Sequence, residues 1–544
     1  MYSLYYNGKI LTMAYKCGEE EVKNEHEAVL VEDGTICAVG KKEALMELTD
    51  GTVLLRDLHG CCLMPAFIDA HSHFVMSGQM AMCAKLQDCE SYGDIIFTLR
   101  QYMMERHIGK GQVVLGFGYD HNFLKEGGHP DKRILDQVSE EIPVFVLHIS
   151  GHLACVNGAA LRLAGITKDM QNPQGGVLGR IEGSNELSGY LEEAGLQLVQ
   201  KALIPFIQVN PFKMIQETQD NYLKYGITTV QDGAVTQNEL AMLKNLSEAG
   251  LLKIDVVAYP LMTAGGVELK RENEILCGTT YRGHIRIGGY KLVLDGSPQG
   301  RSAWMSEPYL GDEKDYCGYP WMQNKEAEEY IKIAVRERQQ LLVHCNGDAA
   351  SDQFLDSYEK ALKEEIEDAS ELRPVMIHCQ TVRNDQLDRM AKLNMVASIF
   401  VGHVWYWGDV HIKNFGKKRG NRISPVKDAI SRGVHVNFHQ DTPVTKPDML
   451  HSVWCAVNRI SRQGNIIGTD QKVSVYDALR AVTVEAAYQY FEEGVKGTIE
   501  VGKRADLVVL DRCPLDVSDE DIWKIKVIET IKDGKTLYKL IDGQ

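Results

Sequence analysis

Short, nearly continuous apolar runs alternate with helical patterns between about residues 63 and 496. Such runs are typical of parallel strands that are buried on both faces, and apolar residues spaced three and four apart predict the helices that cover them. The predicted strands are 63–69, 113–117, 143–148, 228–232, 285–294, 341–344, 375–378, 395–400 and 434–438. The predicted helices include 325–339, for which Asn324 is the expected N-cap, 385–393 and 474–490.

This order of elements predicts an α/β fold. After residue 280, strands recur about every 20 to 50 residues with helices between them, which is the rhythm of a distorted (β/α)8 TIM barrel with insertions. An open doubly wound sheet is the alternative. No G-x-G-x-x-G motif follows a strand early in the chain, and this disfavours the dinucleotide-binding form of that sheet.

Both ends of the chain consist of short strands separated by turns such as Asn7-Gly8, Asp33-Gly34 and Asp533-Gly534. Neither end has enough strands to be stable alone, so the two are expected to join in one sheet. We therefore predict that residues 1–63 and 497–544 form one composite β-sandwich domain, and that residues 64–496 form the barrel.

Charge and cysteine content narrow the possible partners and the compartment. The 544 residues include 59 Lys and Arg against 75 Asp and Glu, which gives a net charge of −16. A phosphate backbone or an anionic membrane is repelled on average, so we expect neither nucleic acid nor a membrane as partner. No apolar run approaches the ~20 residues of a membrane span, and the N-terminus lacks an export signal. Thirteen cysteines without a C-x-x-C pair favour a reducing cytoplasm.

Histidines and an aspartate stand where several predicted strands end. His71 and His73 follow the strand at 63–69 and, in extended backbone, project to the same side, so both can reach one metal ion. The pair alone is a weak signal, because 17 histidines in this chain produce roughly 0.5 such pairs by chance. Three further strands end in His344, His378 and Asp441. Since reactive groups of a barrel lie at the carboxyl ends of its strands, these residues are expected to share one site.

Lys291 lies inside the predicted strand 285–294, on the same face as Asp295 and among apolar neighbours. A buried ammonium group is unfavourable unless it is paired or chemically altered. A salt bridge with Asp295 is one interpretation. A neutral amine that takes up CO₂ and becomes a carbamate, able to bridge two cations, is the other. A metal-free barrel in which Lys291 forms a Schiff base is a third option.

This order of residues, framed by β segments, resembles the amidohydrolase superfamily, and specifically its YtcJ-like amidohydrolase 3 family, over nearly the whole chain. The stretches that carry the resemblance are 64–73, 116–120, 151–157, 226–230, 291–297, 344–348, 378–380, 441–444 and 497–510. The resemblance implies one metal ion bound by His71 and His73 and touched by Asp441. It also implies a second ion bound by His344 and His378, with carboxylated Lys291 as the bridge.

The chain departs from the family pattern in four places, none of which is an implied ligand. Relatives usually carry Glu, Ala-Ile, Leu-Gly and Ser where this chain has Ile377, Cys345-Asn346, Pro298-Gln299 and Gln440. These departures alter the surroundings of the ligands and the pocket. The substrate is therefore not transferred from any single relative.

These ligands predict a metal-dependent amidohydrolase that cleaves a non-peptide carbon–nitrogen bond, an amide, in a small molecule. A divalent pair supplies hydroxide near neutral pH, and Asp441 can take its proton and return it to the leaving amine. Zinc, as one or two ions, is expected first, with manganese or iron as alternatives. Deamination of a cyclic amidine or amine is the alternative reaction. A non-enzymatic regulatory function is disfavoured because the chain retains every implied metal ligand. The small-molecule substrate is the expected partner, and the sequence leaves open whether the chain forms a homodimer.

Other polar and aromatic residues are candidates for secondary roles. On the strength of the resemblance, His152 is expected to hydrogen-bond a substrate oxygen or the tetrahedral oxyanion. The alternative is that His152 is an ordinary loop histidine. Arg301 can meet a substrate carboxylate through its bidentate fork, unless it forms a surface ion pair. Asp295 and Asp348 are expected to orient metal ligands. The candidates for an apolar substrate pocket are Tyr119, Trp304, Trp405 and Trp407, with core packing as the alternative.

Overall fold

The computed structural model describes residues 1–14, 26–49, 51–151, 153–173, 175–207, 210–311, 315–365 and 371–541. The strands of these residues are β1 (Tyr2–Tyr6), β2 (Lys9–Ile10), β3 (Ala28–Glu32), β4 (Thr35–Gly40), β5 (Val53–Asp57), β6 (Cys62–Pro65), β7 (Phe67–Ile68), β8 (Ala84–Lys85), β9 (Val114–Tyr119), β10 (Val144–His148), β11 (Leu153–Val156), β12 (Gly176–Arg180), β13 (Leu187–Glu193), β14 (Ile227–Val235), β15 (Asp255–Pro260), β16 (Ile285–Ile287), β17 (Gly289–Val293), β18 (Gln340–Cys345), β19 (Val375–His378), β20 (Val396–Ile399), β21 (His435–Phe438), β22 (Leu507–Leu510), β23 (Val527–Lys532) and β24 (Lys535–Lys539).

The α-helices of the same residues are α1 (Lys42–Glu47), α2 (Phe74–Ala81), α3 (Tyr92–Glu105), α4 (Lys132–Asp136), α5 (Gly158–Leu163), α6 (Ala194–Leu203), α7 (Pro211–Lys224), α8 (Gln237–Glu248), α9 (Gly266–Glu272), α10 (Asn324–Arg336), α11 (Asp348–Glu365), α12 (Asn384–Lys392), α13 (His403–Gly420), α14 (Val426–Ser431), α15 (Met449–Asn458), α16 (Val475–Ala481) and α17 (Val484–Gln489). Within the described ranges, no helix combines the length and the apolar character that crossing a membrane requires.

Two parallel sheets hold the strands that lead to the candidate site. One has the order β16-β15-β14-β7, and the other runs β17-β18-β19-β20-β21 in chain order. An isolated parallel bridge joins Leu261, just after β15, to Lys291 in β17. The strands are apolar and almost wholly buried, as expected for strands covered by helices. The predicted α/β fold is confirmed, and parallel pairing places the carboxyl ends of neighbouring strands at one edge of each sheet.

Strands from both ends of the chain share a further sheet, with the order β2-β6-β22-β23-β24. In it β22 lies antiparallel to β6, so that Leu507 faces Pro65 and Leu510 faces Cys62. Strands β1, β3, β4 and β5 form a separate four-stranded sheet. Strand β6 runs into β7 after a single residue, Ala66, and so connects the shared sheet to the strand that precedes His71 and His73. The domain boundaries given above stay a prediction.

The chain forms two compact units, Met1–Val75 with Gln219–Gln544, and Met76–Thr218. The second unit contains a six-stranded sheet with the order β12-β13-β11-β10-β9-β8. Strands β8, β9 and β10 are parallel, whereas β11, β13 and β12 follow them in antiparallel pairs. The sequence pattern predicted β9 and β10 but not the antiparallel strands, which are interrupted by glycines such as Gly179 and Gly189.

Four predicted elements differ from the structure, and the first is the strand predicted at 63–69, which is divided at Ala66 into β6 and β7. The strand predicted at 285–294 is divided at Gly288, where an added Cβ would lie 2.5 Å from the Tyr259 ring. The helix predicted at 474–490 is divided into α16 and α17, because Thr483 leaves the helical conformation. Asn324 is the first helical residue and not the cap: Gln323 precedes the helix, and Asn324 Oδ1 accepts from the Gln353 amide at 2.9 Å.

A buried ionic cluster joins β15 to the shared terminal sheet. Asp255, the first residue of β15, has Oδ2 2.8 Å from Lys496 Nζ and 2.9 Å from Lys532 Nζ. His284 lies at 2.9 Å from the other carboxylate oxygen. Burial opposes ionisation of Asp255, but the two ammonium groups hold its pKa well below the usual range. The carboxylate is thus the counter-charge for two buried lysines.

Replacing Asp255 by Asn is expected to lower the free energy of unfolding by about 3 kcal/mol, the lower end of the range for breaking a buried ion pair. The amide removes the carboxylate that the two ammonium groups share, while Asp506 at 3.0 Å from Lys532 Nζ and Glu492 at 3.3 Å from Lys496 Nζ keep part of the counter-charge. Urea unfolding of the variant measures this. Glu365→Gln is the matched control, since Glu365 pairs with Arg336 at 2.8 Å on an exposed helix surface; its urea midpoint should not move. An unchanged midpoint for Asp255→Asn would contradict the assigned role of the cluster.

Candidate metal centre

Two strand ends bring His71, His73 and Asp441 together. His71 Nε2 lies 3.5 Å and His73 Nε2 3.4 Å from Asp441 Oδ1. The backbone N–H of His73 donates to the Thr442 carbonyl at 2.8 Å, which ties the segment after β7 to the segment after β21. One ligand atom from each of the three side chains lies within 4.8 Å of the others. Their arrangement suits a single metal ion.

Lys291 reaches the same place from β17. Its Nζ lies 3.5 Å from His71 Nε2, and the side chain is buried. Burial lowers the pKa of Lys291 to about 8, while the nearby Asp441 carboxylate raises it. Lys291 and Asp295 form no ion pair with each other in the described part of the chain. The salt-bridge interpretation of Lys291 is therefore not supported, and a fraction of the amine is neutral near pH 8.

His344 and His378 lie at the ends of β18 and β19 and form a second pair of candidate metal ligands. His344 Nδ1 lies 3.0 Å from His378 Nε2. The two strands pair so that His378 is opposite Cys345, the neighbour of His344. The ring centroids of His378 and His71 are 5.6 Å apart, so this pair adjoins the His71, His73 and Asp441 group. Residues separated by several hundred positions in the chain thus form one cluster.

Burial keeps the imidazoles of His71, His344 and His378 neutral. The pKa values of His71 and His378 lie well below the usual range because both rings are desolvated, and that of His344 falls to about 4 for the same reason. Burial opposes ionisation of Asp441, but the adjacent imidazoles of His73, His378 and His71 hold its pKa well below the usual range. Neutral imidazole and ionised carboxylate are the forms that bind metal ions.

An unmatched buried oxygen tests whether a cation fits the cluster. Asp441 Oδ1 is buried and accepts no hydrogen bond from the described residues, although two imidazole nitrogens lie within 3.5 Å. A buried carboxylate oxygen that accepts no hydrogen bond is unfavourable. A divalent cation supplies the missing positive charge, and imidazole with carboxylate suits zinc and related divalent ions. The residues present fit such a group.

Asp295 organises the loops around His344. Its two oxygens accept from the backbone N–H groups of Asn346 (2.9 Å), Gly347 (2.7 Å) and Trp304 (3.0 Å). Burial raises the pKa of Asp295 to about 7, and these backbone donors oppose the rise. Its Oδ1 lies 3.7 Å from His344 Nε2. The role of Asp295 in orienting a ligand stays a prediction.

Asp348, the first residue of α11, contacts a different set of groups. Its carboxylate accepts from the Ser306 backbone N–H at 2.8 Å and from the Ser306 hydroxyl, and Arg383 Nη1 lies at 3.0 Å. These contacts hold the segment that follows Trp304 against α11. Asp348 therefore supports a loop of the site, and none of these contacts is to a predicted ligand.

The predicted substrate-contacting residues of this unit pack among aromatic side chains. The Arg301 guanidinium lies 5.6 Å and 5.8 Å from the ring centres of Tyr309 and Tyr316. Trp304 is half-buried and is held through its backbone by Asp295. Their contact with a substrate stays a prediction.

Trp405 and Trp407 lie in the first turns of α13. The Trp405 ring meets Trp454 edge-on with centroids 5.3 Å apart, and Trp407 meets His403 at 4.6 Å. Both rings have protein partners, as the core-packing alternative requires. A role as substrate-pocket walls stays a prediction for both.

The other compact unit contains Tyr119 and the position of His152. Tyr119 is buried, and its hydroxyl lies 2.9 Å from His129 Nδ1 and 3.2 Å from Cys155 Sγ. The predicted catalytic residue His152 lies outside the described residues. Its role stays a prediction.

A second group of side chains, in the same unit as Tyr119, has ligand atoms at a spacing that could hold a metal ion, and its histidines also hydrogen-bond each other. Ligand atoms of Asp120, His121 and His148 lie within 4.8 Å of one another. The backbone N–H of Ser150 donates to His148 Nδ1 at 3.1 Å, so a neutral His148 carries its proton on Nε2. That nitrogen faces His121 Nδ1 at 3.2 Å. In this arrangement the His148 and His121 rings form a hydrogen-bond network, although the ligand atoms of the three residues also have a spacing that could hold a metal ion.

Sequence reasoning missed two residues of the main cluster. Gln231, on β14, places Oε1 2.5 Å from His71 Nδ1. His439 is fully buried, with its ring centroid 5.1 Å from those of both His71 and His378. His439 precedes Asp441 by two positions, the same spacing that drew attention to His71 and His73, so strand alternation was a usable signal. Gln231 is a neutral amide and carried no comparable signal.

Comparisons with known proteins agree with the resemblance seen in the sequence. The family model described as "Amidohydrolase family" matches residues 55–538. The YtcJ protein of Bacillus subtilis (strain 168) is 26% identical over 560 residues, covering 99% of this chain and 100% of that protein. The N-substituted formamide deformylase of Arthrobacter pascens is 27% identical over 534 residues, covering 94% and 95%. An uncharacterized metal-dependent hydrolase from Pyrococcus horikoshii OT3 has a crystal structure with a TM-score of 0.74 and 26% identity, covering 95% and 99%.

Proposed function

The chain is an enzyme of the amidohydrolase family, and on this premise we propose that it hydrolyses a non-peptide amide bond in a small molecule with the help of divalent metal. The observation that carries the proposal is the convergence of His71, His73, Lys291 and Asp441 with the His344 and His378 pair in one buried cluster. Buried polar groups of this density are unfavourable without a cation to balance them.

The proposed framework is a distorted (β/α)8 barrel. Its eight strands would be β7, β14, β15 and β17 to β21, and the bridge between Leu261 and Lys291 would join the two parallel sheets. Candidate ligands follow β7, β18, β19 and β21, as the location of reactive groups in such barrels requires.

His71, His73 and Asp441 would hold one ion, and His344 and His378 a second, with Lys291 between the two sets as a carbamate. When bound, such ions lower the pKa of water toward neutrality and polarise the scissile carbonyl. Asp441 then accepts a proton at its carboxylate and returns it to the leaving amine, which is general base and acid catalysis by one group. His152 is proposed to hydrogen-bond the substrate oxygen.

The substrate class rests on chemistry and on one relative. The Arthrobacter pascens protein is by its name a deformylase of N-substituted formamides. The proposed reaction of this chain is likewise cleavage of an amide into a carboxylic acid and an amine. Zinc as the metal, carboxylation of Lys291, a cytoplasmic location and a homodimer stay predictions.

A product assay with an amide library is expected to yield equimolar acid and amine. An amine-reactive fluorophore measures the amine, chromatography measures the carboxylic acid, and an ammonia assay tests for deamination. The Asp441→Asn variant serves as the control for contaminating hydrolases. Ammonia release from a cyclic amidine or amine with its ring intact would replace the amidase proposal by the deaminase alternative.

Metal removal is expected to abolish activity, because the cluster retains no other strong electrophile for the carbonyl. Protein purified without chelator should contain up to two divalent ions per chain by elemental analysis. Dialysis against a chelator should remove both metal and turnover, and stoichiometric zinc should restore them. Full turnover by metal-free protein would overturn the proposed function.

A further inference from the structure

Gln231 contacts the ring of His71 on the side away from Asp441. It lies on β14, its side chain is fully buried, and its Oε1 is 2.5 Å from His71 Nδ1. His71 Nε2, at the other side of the ring, lies 3.5 Å from Asp441 Oδ1 and 3.5 Å from Lys291 Nζ. One amide therefore meets the nitrogen of His71 that does not face the cluster.

The orientation of the Gln231 amide is determined by its second contact. Its Nε2 donates to the Ala70 carbonyl at 2.9 Å and to the Tyr490 hydroxyl oxygen at 3.2 Å. A carbonyl oxygen can only accept, so the nitrogen of the amide must face Ala70 and the oxygen must face His71. The Tyr490 hydroxyl in turn donates to the Asp69 carbonyl at 2.8 Å, which leaves its oxygen free to accept from Gln231.

An accepting oxygen at His71 Nδ1 settles the location of the ring proton. In a neutral imidazole one nitrogen donates and the other accepts, so the proton sits on Nδ1 and the lone pair on Nε2. The lone pair thus faces Asp441 and Lys291. Gly233 leaves room for this arrangement, since an added Cβ would lie 2.5 Å from His71 Cε1 and 2.9 Å from Gln231 Oε1.

We propose that Gln231 is a positioning residue that fixes the tautomer and the ring orientation of His71 and thereby sets the affinity of the cluster for its metal ion. The proposal rests on the proposed function, because it assigns His71 Nε2 as a metal ligand. Outer hydrogen-bond partners of ligating histidines commonly change metal affinity by about 10- to 100-fold.

The Gln231→Leu variant is expected to bind zinc about 10- to 100-fold more weakly than the wild type, because it keeps the side-chain size and removes the acceptor. Competition with a chromophoric zinc chelator measures the affinity without reference to turnover. Gln353→Leu is the matched control: Gln353 is also buried and donates to the Met322 carbonyl and Asn324 Oδ1, which lie outside the cluster. Its zinc affinity should equal that of the wild type.

A second measurement uses the unmutated chain and so does not depend on folding of a variant. Nitrogen-15 NMR of the metal-free, histidine-labelled wild type, with His71 assigned by its absence in His71→Asn, should report the proton on Nδ1. A proton on Nε2, or equal zinc affinity for Gln231→Leu and wild type, would overturn the inference. Failure of the wild type to bind zinc at all would instead overturn the proposed function.

Discussion

Asp441→Asn is expected to retain bound metal and to lose kcat by about 10²- to 10⁴-fold, the range that general acid–base groups contribute. The amide oxygen of Asn can still act as a neutral ligand beside His71 and His73, but it cannot accept a proton. Asp441 lies within 3.5 Å of both imidazole nitrogens, so a variant of equal size should leave the cluster in place.

Elemental analysis and steady-state kinetics on the same preparation test this prediction. Asp352→Asn is a suitable control, because Asp352 is also half-buried and binds Arg383 at 3.0 Å outside the cluster. The control should keep both metal and turnover. Normal kcat in Asp441→Asn would remove the proton-transfer role from Asp441, whereas loss of metal would make Asp441 chiefly a ligand.

Loss of an outer hydrogen-bond partner weakens metal affinity by about 10- to 100-fold. Lys291→Ala removes a proposed ligand itself and is therefore expected to weaken metal affinity by more than this. The Lys291 side chain is buried, and its Nζ lies 3.5 Å from His71 Nε2. Short-chain carboxylic acids should restore part of the metal content and turnover, since a free carboxylate can occupy the position of the proposed carbamate.

Metal content with and without added acid measures the effect of Lys291→Ala. Lys332→Ala is the control, because Lys332 pairs with Glu364 at 2.6 Å between two helices and lies outside the cluster. Retention of full metal content by Lys291→Ala would show that Lys291 is not a ligand. Covalent trapping of a carbonyl substrate on Lys291 by borohydride would favour the Schiff-base alternative.

The parallel strands could be predicted from the sequence because burial on both faces leaves an unmistakable apolar run. The strand predicted at 375–378 coincides with β19 (Val375–His378), and the one at 434–438 differs from β21 by one residue. Strand β15 (Asp255–Pro260) was missed, although its sequence is largely apolar. It opens with a charged residue whose burial depends on partners distant in the sequence, among them Lys496 and Lys532.

The candidate ligands could be predicted because ionisable side chains at the ends of buried strands are rare and therefore conspicuous. The partner of His71 could not be predicted in the same way. Gln231 is 160 positions away from His71, and its importance depends on a contact between the middle of β14 and the segment after β7 that only the folded sheet creates. The positions of Trp405 and Trp407 were also beyond the sequence pattern, since a helix begins directly after β20.

The antiparallel pairing of β6 with β22 has a consequence for synthesis on the ribosome. Strand β6 leaves the ribosome long before β22. The edge of β6 that later pairs with β22 therefore has no hydrogen-bond partner while most of the chain is being translated. The unpaired backbone groups of a strand edge can pair with another chain, and chaperones protect such incomplete chains from aggregation. Since β6 continues into β7 and the two histidines that follow it, a chain that terminates before β22 would expose this edge next to an incomplete site and would be prone to aggregate.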